Sequence, residues 1–482
     1  MTSAVLVQQI LGAVVIGYMV VCIFMGILHA KGVKNLRQFA LGYKDISTGM
    51  LVATIYATHL GAGATLGLIE QINNIGIVAV IIGLVRAGNW YISRVIFCNG
   101  VERFKDCLSQ ADVMKTLFGP FAFQATNVIS VVHSIGVVAI QILMLGLVIQ
   151  YFFGLSTATG ILLGSLVVTA YSASGGIKAV ILTDLMQILL FAVVLAVVFY
   201  MSVHKMVAEP DFWQLIPVSK TWIMPYDGRS TLLVMGMIVY AFIPMGPGAP
   251  FIQRILISGS DRQLQKAFSY VTFIDCIVVC VISSVAILLL PDTGEGTLDR
   301  MSLFAIARDA MNPFFIAAVI LGVSAVTMST ADSWLNTGAV IATHCITTKH
   351  KMNNAQQVRA ARMMTVIFGV TAAVAAWIGG SVMSLLLATE SFSMPLLYIP
   401  ITAGFLGYNF TEMDYKRAVI TSIAAVFLGA YIEGEFGFIS LLFGLIGSTV
   451  GLTWSKKWSF FRADGTPLMQ SKVDMGRPIE SF

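Results

Sequence analysis

The chain has 482 residues, of which 57% are hydrophobic and 11% charged, with a net charge of +5 and a mean hydropathy of +0.86. A typical soluble domain carries roughly 25% charged residues, so this composition excludes most soluble enzymes and any disordered chain, because so few charges cannot coat a globule of this size. The class that remains is a polytopic membrane protein, and the small basic surplus reads as cytoplasmic loop charge rather than a nucleic-acid surface.

Breaks in hydrophobicity predict thirteen helical spans at about 4–29, 46–71, 74–95, 119–151, 157–173, 176–203, 231–257, 265–290, 311–346, 358–379, 381–407, 416–432 and 436–454. The apolar segments are continuous rather than alternating, which argues against a β-barrel. The first stretch has no basic residues before it and is too long for a signal-peptide core, so it is expected to be a retained helix. The cysteines Cys22, Cys98, Cys107, Cys276, Cys280 and Cys345 form no CxxC pair and read as small buried residues. Placing the N-terminus outside puts 22 Lys and Arg in inner loops and the C-terminal tail and five in outer loops. That asymmetry predicts N-out, C-in topology in a plasma membrane, such as a bacterial inner membrane.

Three features break the rules of a lipid-buried helix. First, the second span contains HLGAGATLG (59–67) and the seventh contains IPMGPGAP (243–250). Clusters of Gly and Pro read either as discontinuous helices, which transporters place at midplane binding sites, or as close helix packing through small residues. With the first span set aside, these segments open two successive five-helix sets of opposite orientation. Second, Glu70, Arg86, Asp184, Asp275, Asp332 and Glu390 fall in or near spans. Such residues usually face a bundle interior, as part of a solute or ion path or as structural ion pairs. Asp275 reads as structural, and Glu70 as a residue near an outer vestibule. Third, SAVTMSTADSWLNTG (324–338) sets the adjacent hydroxyls of Ser329 and Thr330 in an apolar span. Hydroxyl and carbonyl oxygens suit a small hard cation, although such side chains also bond back to their own helix.

The segment GGIKAVILTDLMQ (175–187), the Met-Ser-Thr of the ninth span, the Gln253–Arg254 pair and the loop RQFALGYKDIS (37–47) together resemble the sodium:solute symporter family over about 6–455. That family includes bacterial proline, pantothenate and sialic-acid symporters and the sodium/glucose cotransporters. The resemblance implies an all-α fold of the LeuT type, two inverted five-helix repeats with one helix before and two after. The corresponding divisions are an N-terminal helix and inner loop (1–45), first repeat (46–230), second repeat (231–407), two final helices (408–455) and a cytoplasmic tail (456–482).

The resemblance also implies a transported sodium ion held by the carbonyls of Ala57, Leu60 and Val326 and the hydroxyls of Ser329 and Thr330. A second ion site in some members maps onto Asp184, Ser329, Asp332 and Ser333, with Asp332 departing from the family's hydroxyl. His59 departs from the Asp or Asn common at its position. Between the two breaks, the expected solute pocket draws on His59, Gly63, Arg86, Tyr240, Phe242, Met245 and Glu390. Arg86 suits a carboxylate, which a guanidinium holds through two bonds, unless it pairs with Glu70 or Glu390. The expected function is therefore sodium-coupled import of a small carboxylate or amino acid by alternating access. The alternatives are a proton-coupled symporter or a membrane sensor on the same fold. No P-loop, HExxH or GxSxG motif occurs, so neither ATP coupling nor enzymatic activity is expected. The expected partners are the solute and the lipid bilayer, with no nucleic acid and no obligatory protein.

Overall fold

In the computed structural model, residues 2–30, 33–42, 46–99, 101–221, 228–293, 313–379 and 382–454 are described. The expected cytoplasmic tail and most of the outer loop at 291–310 lie outside them. The described residues are helical throughout, without strands. In chain order they form α1 (Thr2–Ala30), α2 (Leu36–Leu41), α3 (Thr48–His59), α4 (Leu66–Ile75), α5 (Val78–Phe97), α6 (Gln110–Phe118), α7 (Pro120–Phe153), α8 (Thr157–Ala208) and α9 (Gly228–Ala241). There follow α10 (Ala249–Ile257), α11 (Asp261–Leu289), α12 (Pro313–Lys349), α13 (Asn354–Ile378), α14 (Val382–Ser393), a π-turn (Met394–Tyr398), α15 (Ile399–Phe405), α16 (Glu412–Glu433) and α17 (Phe438–Thr453).

This is an integral membrane protein. Seven described helices are long and apolar enough to cross a bilayer. One of them, α8, has 52 residues, about twice what a span needs. It turns at Gly176, where φ is 61° and a Cβ would lie 2.8 Å from the Phe39 carbonyl oxygen. Glycine alone reaches that conformation without steric cost, so the two spans expected at 157–173 and 176–203 are joined there. The surface is apolar and the interior holds the polar groups. Val128, Val132, Leu162, Leu166 and Val193 are more than 60% exposed, while Thr54, Thr58, Asp184, Ser329 and Ser333 are buried.

Both Gly/Pro clusters are true interruptions. α3 stops at His59 and α4 starts at Leu66; α9 stops at Ala241 and α10 starts at Ala249. An interruption in a membrane leaves backbone groups that need partners, and neighbouring side chains supply them. At the first break, Gln141 Oε1 accepts from the Ala62 N–H at 3.0 Å. At the second, the Asn89 amide donates to the carbonyls of Ala241 (2.9 Å) and Ile243 (2.6 Å). Ser93 Oγ accepts from the Met245 N–H at 3.0 Å, and Gln110 Nε2 donates to the Pro247 carbonyl at 2.6 Å. Asn89→Ala would strand two buried carbonyls. It is expected to lower stability by about 2–4 kcal/mol, at about 1–3 kcal/mol for each orphaned group less relaxation, read as a lower unfolding midpoint in detergent.

Two apolar cores form. One unites α3, α4, α5, the second half of α8, α10 and α11 around Leu51, Ile55, Trp90, Val180, Ile252, Val271 and Val279. The other unites α7, the first half of α8, α12 and α13 around Val138, Ile142, Val168, Met328, Leu335 and Phe368. α1 packs on α8, and α16 and α17 form a hairpin beside the π-turn.

Candidate solute cavity and ion seam

A cavity of about 170 Å³ lies where the two cores meet. From the first body His59, Gly63, Arg86, Tyr240, Met245 and Phe251 line it; from the second come Gln141, Thr330 and Trp334; Glu390, Met394 and Tyr398 close the remaining wall. Six of the seven residues expected at a solute pocket are thus brought together. Phe242 is not among the lining residues and is 56% exposed. It is the first residue past the end of α9, where the chain has left the helical register that carries Tyr240.

The charged groups of the cavity are arranged differently from a simple ion pair. Arg86 makes no hydrogen bond or ion pair among the described residues. Glu390 is instead engaged by His133, Nε2 to Oε1 at 3.3 Å, and by the Ser393 hydroxyl, which donates to Oε2 at 3.2 Å. The pairing of Arg86 with Glu70 or Glu390, open from sequence, is therefore not formed. His59 packs edge-on against Trp90 and lies 3.6 Å from Asp275. Asp275 accepts from the Tyr56 hydroxyl and the Trp90 indole N–H, each at 3.0 Å. Its two oxygens thus tie α3 to α5, a structural position.

Beside the cavity runs a polar seam between α3, α8, α10 and α12. Ala57, Leu60, Val326, Ser329 and Thr330 are all buried there. Gly61 permits the approach, since a Cβ would sit 2.9 Å from Thr330 Oγ1 and 3.0 Å from Gln141 Oε1. Thr330 Oγ1 stands 3.4 Å from the carbonyl oxygens of both Ala57 and Thr58, long for a hydroxyl hydrogen bond. Hard cations bind oxygen at about 2.4 Å, and two such ligands at right angles lie about 3.4 Å apart. The residues therefore fit a small hard cation. Thr58 was not anticipated, although its place next to Ala57 in the last turn of α3 exposes its carbonyl equally.

The neighbouring acidic group is already engaged. Asp184 accepts from Ser329 Oγ at 2.5 Å and Thr54 Oγ1 at 2.6 Å, and Arg254 Nη2 lies 3.5 Å away. The same Nη2 donates to Ser333 Oγ at 2.7 Å, and Ser333 meets Thr58 Oγ1 at 3.1 Å. Asp332 accepts from the Thr183 hydroxyl at 3.3 Å, and its Oδ1 is buried without a partner among the described residues. Arg254 thus occupies the space between Asp184 and Ser333 that sequence assigned to a second ion. Its signal was the Gln253–Arg254 pair itself, buried completely in α10.

At the far end of α12, His344 Nε2 lies 3.0 Å from Asp112 Oδ1 in α6. Burial raises the Asp112 pKa, but the His344 contact and the N–H groups of Leu108 and Ser109 outweigh it and hold the carboxyl below its ordinary range. This pair fastens the short helix α6 to the helix that carries Ser329 and Thr330.

No family model matches the chain. Among solved structures, a substrate-bound, outward-open Na+-coupled sialic acid symporter is similar at 19% identity and TM-score 0.77, covering 92% of this chain and 97% of that one. MhsT in complex with L-phenylalanine is similar at 15% identity and TM-score 0.50, over 84% of this chain and 98% of the other. Mhp1, a nucleobase-cation-symport-1 family transporter bound to bromovinylhydantoin, is similar at 12% identity and TM-score 0.52, over 91% and 99%. All three are transporters rather than enzymes. At these identities the likeness is one of fold, and the fold is the all-helical LeuT type.

Proposed function

We propose that this protein is a sodium-coupled symporter of the sodium:solute symporter family, importing a small organic solute that carries a carboxylate, with its N-terminus outside and C-terminus in the cytoplasm. The observation that carries this reading is the unpartnered Arg86 in a cavity that also contains Thr330 of the ion seam. The guanidinium offers a solute carboxylate two parallel hydrogen bonds. The oxygens of Ala57, Thr58, Leu60, Val326, Ser329 and Thr330 are the sodium ligands in this reading. The transported ion binds there, and not at Asp184, Asp332 and Ser333, where it would face the Arg254 charge.

Alternating access follows from the two cores. The bodies meet through polar contacts, Arg254 and Thr58 on Ser333 and Thr330 on the α3 carbonyls. Such a seam can be remade in a second arrangement without opening either apolar core. A cation between α3 and α12 bonds the bodies together and fixes the cavity beside it. Solute and ion then raise each other's affinity by the same factor. A sodium ion moving down −100 mV gains about 2.3 kcal/mol before any concentration gradient.

Ligand-dependent thermal stability of the purified protein tests the reading. Amino acids and short carboxylates are screened in sodium and in choline. A ligand at 100 times its Kd stabilises by about 2.7 kcal/mol, and the expected result is a shift in sodium that is lost in choline. Equal shifts in both salts would refute sodium coupling.

A further inference from the structure

We propose that the solute is a zwitterion whose ammonium group binds at Glu390, in the cavity that Trp334 and Tyr398 also line, while its carboxylate binds at Arg86. The inference rests on the symporter reading of the same cavity and names its substrate class.

Glu390 is 7% exposed, and its exposure is to the cavity. A carboxylate offers about four acceptor positions, and His133 and Ser393 use one on each oxygen. The others remain for a donor in the cavity. His133 lies behind Glu390 rather than on the cavity surface, with its ring 4.6 Å from Trp334 and 6.5 Å from Tyr398. Trp334 and Tyr398 themselves line the cavity together with Glu390. Aromatic faces attract ammonium groups and attract quaternary ones most selectively.

The backbone is shaped to the same end. The π-turn Met394–Tyr398 follows directly after Ser393 and contains Pro395. Met394 and Tyr398, at its two ends, lie on the cavity wall that Glu390 also serves. Such turns are rare in helices and concentrate at functional sites.

Charge matching selects among solutes. A simple carboxylate satisfies Arg86 but brings a second anion into a small enclosure with Glu390. A simple amine satisfies Glu390 but meets the charge of Arg86. A zwitterion answers both with no net charge added. At about 10–15 Å³ per water-sized probe, 170 Å³ admits roughly a dozen non-hydrogen atoms, with Phe251, Met237 and Met245 left for an apolar portion.

The test uses matched probes in sodium buffer: each apolar amino acid, its N-trimethyl derivative and its des-amino acid, with Kd read from concentration-dependent thermal shifts. The ammonium-bearing forms are expected to bind at least tenfold more tightly than the des-amino form. Whether the primary or the trimethyl form is preferred distinguishes amino acids from betaines, and either supports the proposal. Glu390→Gln is expected to abolish the preference without weakening the des-amino acid, whereas His133→Gln, which keeps the carboxylate, retains it. Des-amino acids binding as tightly as their parents to the unmodified protein would overturn the zwitterion assignment, and sodium dependence of that binding would leave the symporter reading standing. No binding by any of the three forms would also overturn it.

Discussion

Arg86→Gln is expected to weaken solute binding by about 30-fold or more while leaving the unfolding midpoint essentially unchanged. Removing one partner of a desolvated, hydrogen-bonded charge pair costs about 2–5 kcal/mol, and each 1.4 kcal/mol is tenfold in Kd. The decoupling from stability is the sharper part. Arg86 has no hydrogen bond or ion pair among the described residues, so glutamine in its place breaks none. A structural arginine behaves in the opposite way. Arg254→Gln would leave the Asp184 carboxylate fully buried without its guanidinium, and loss of one partner of a buried pair is strongly destabilising, by about 3–5 kcal/mol. Measuring Kd and the unfolding midpoint on both variants separates the roles. Unchanged solute affinity in Arg86→Gln would end the carboxylate assignment.

Thr330→Val is expected to raise the sodium concentration for half-maximal binding by about 10–100-fold, the range for loss of one or two ligand interactions of about 1.4 kcal/mol each. Valine keeps the branched shape and deletes the oxygen that stands 3.4 Å from two α3 carbonyls. By linkage, solute affinity at limiting sodium falls with it, and saturating sodium restores it. Ser329→Ala makes a less clean test, because that hydroxyl also donates to Asp184 and its loss strips a buried carboxylate of a donor. Sodium titrations of intrinsic tryptophan fluorescence provide the measurement, since Trp334 lies one turn from Thr330 and lines the cavity. A Thr330→Val protein with unaltered sodium dependence would remove the seam as the coupling site.

The span pattern and both breaks were readable in the sequence because lipid leaves so few options. A run of apolar residues must be helical, and Pro244, Pro247 and Pro250 cannot all keep their helix intact. The short helices α2 and α6 escaped, since they lie outside the spans and carry no long apolar run. Residues that complete the breaks from a distance escaped for another reason. Asn89 serves carbonyls some 150 positions away, and no local pattern encodes that pairing. His133 and Gln141 offered a usable signal. They are polar, eight residues apart, and so share one face of the predicted span at 119–151, the face that meets Glu390 and the first break. The Arg86 pairing could not be resolved from sequence because it depended on where His133 lay.

In the proposed reading, a sodium ion at the seam is both a ligand and a structural fastener, and solute binding beside it is coupled without a long relay.

Solute uptake into proteoliposomes under an imposed ion gradient tests this account most directly, with the tightest-binding solute from the stability screen as the probe. The account predicts that an inward sodium gradient drives accumulation above the bath concentration, that choline in place of sodium abolishes it, and that a sodium ionophore collapses it. The same initial rate and accumulation in choline as in sodium would contradict it.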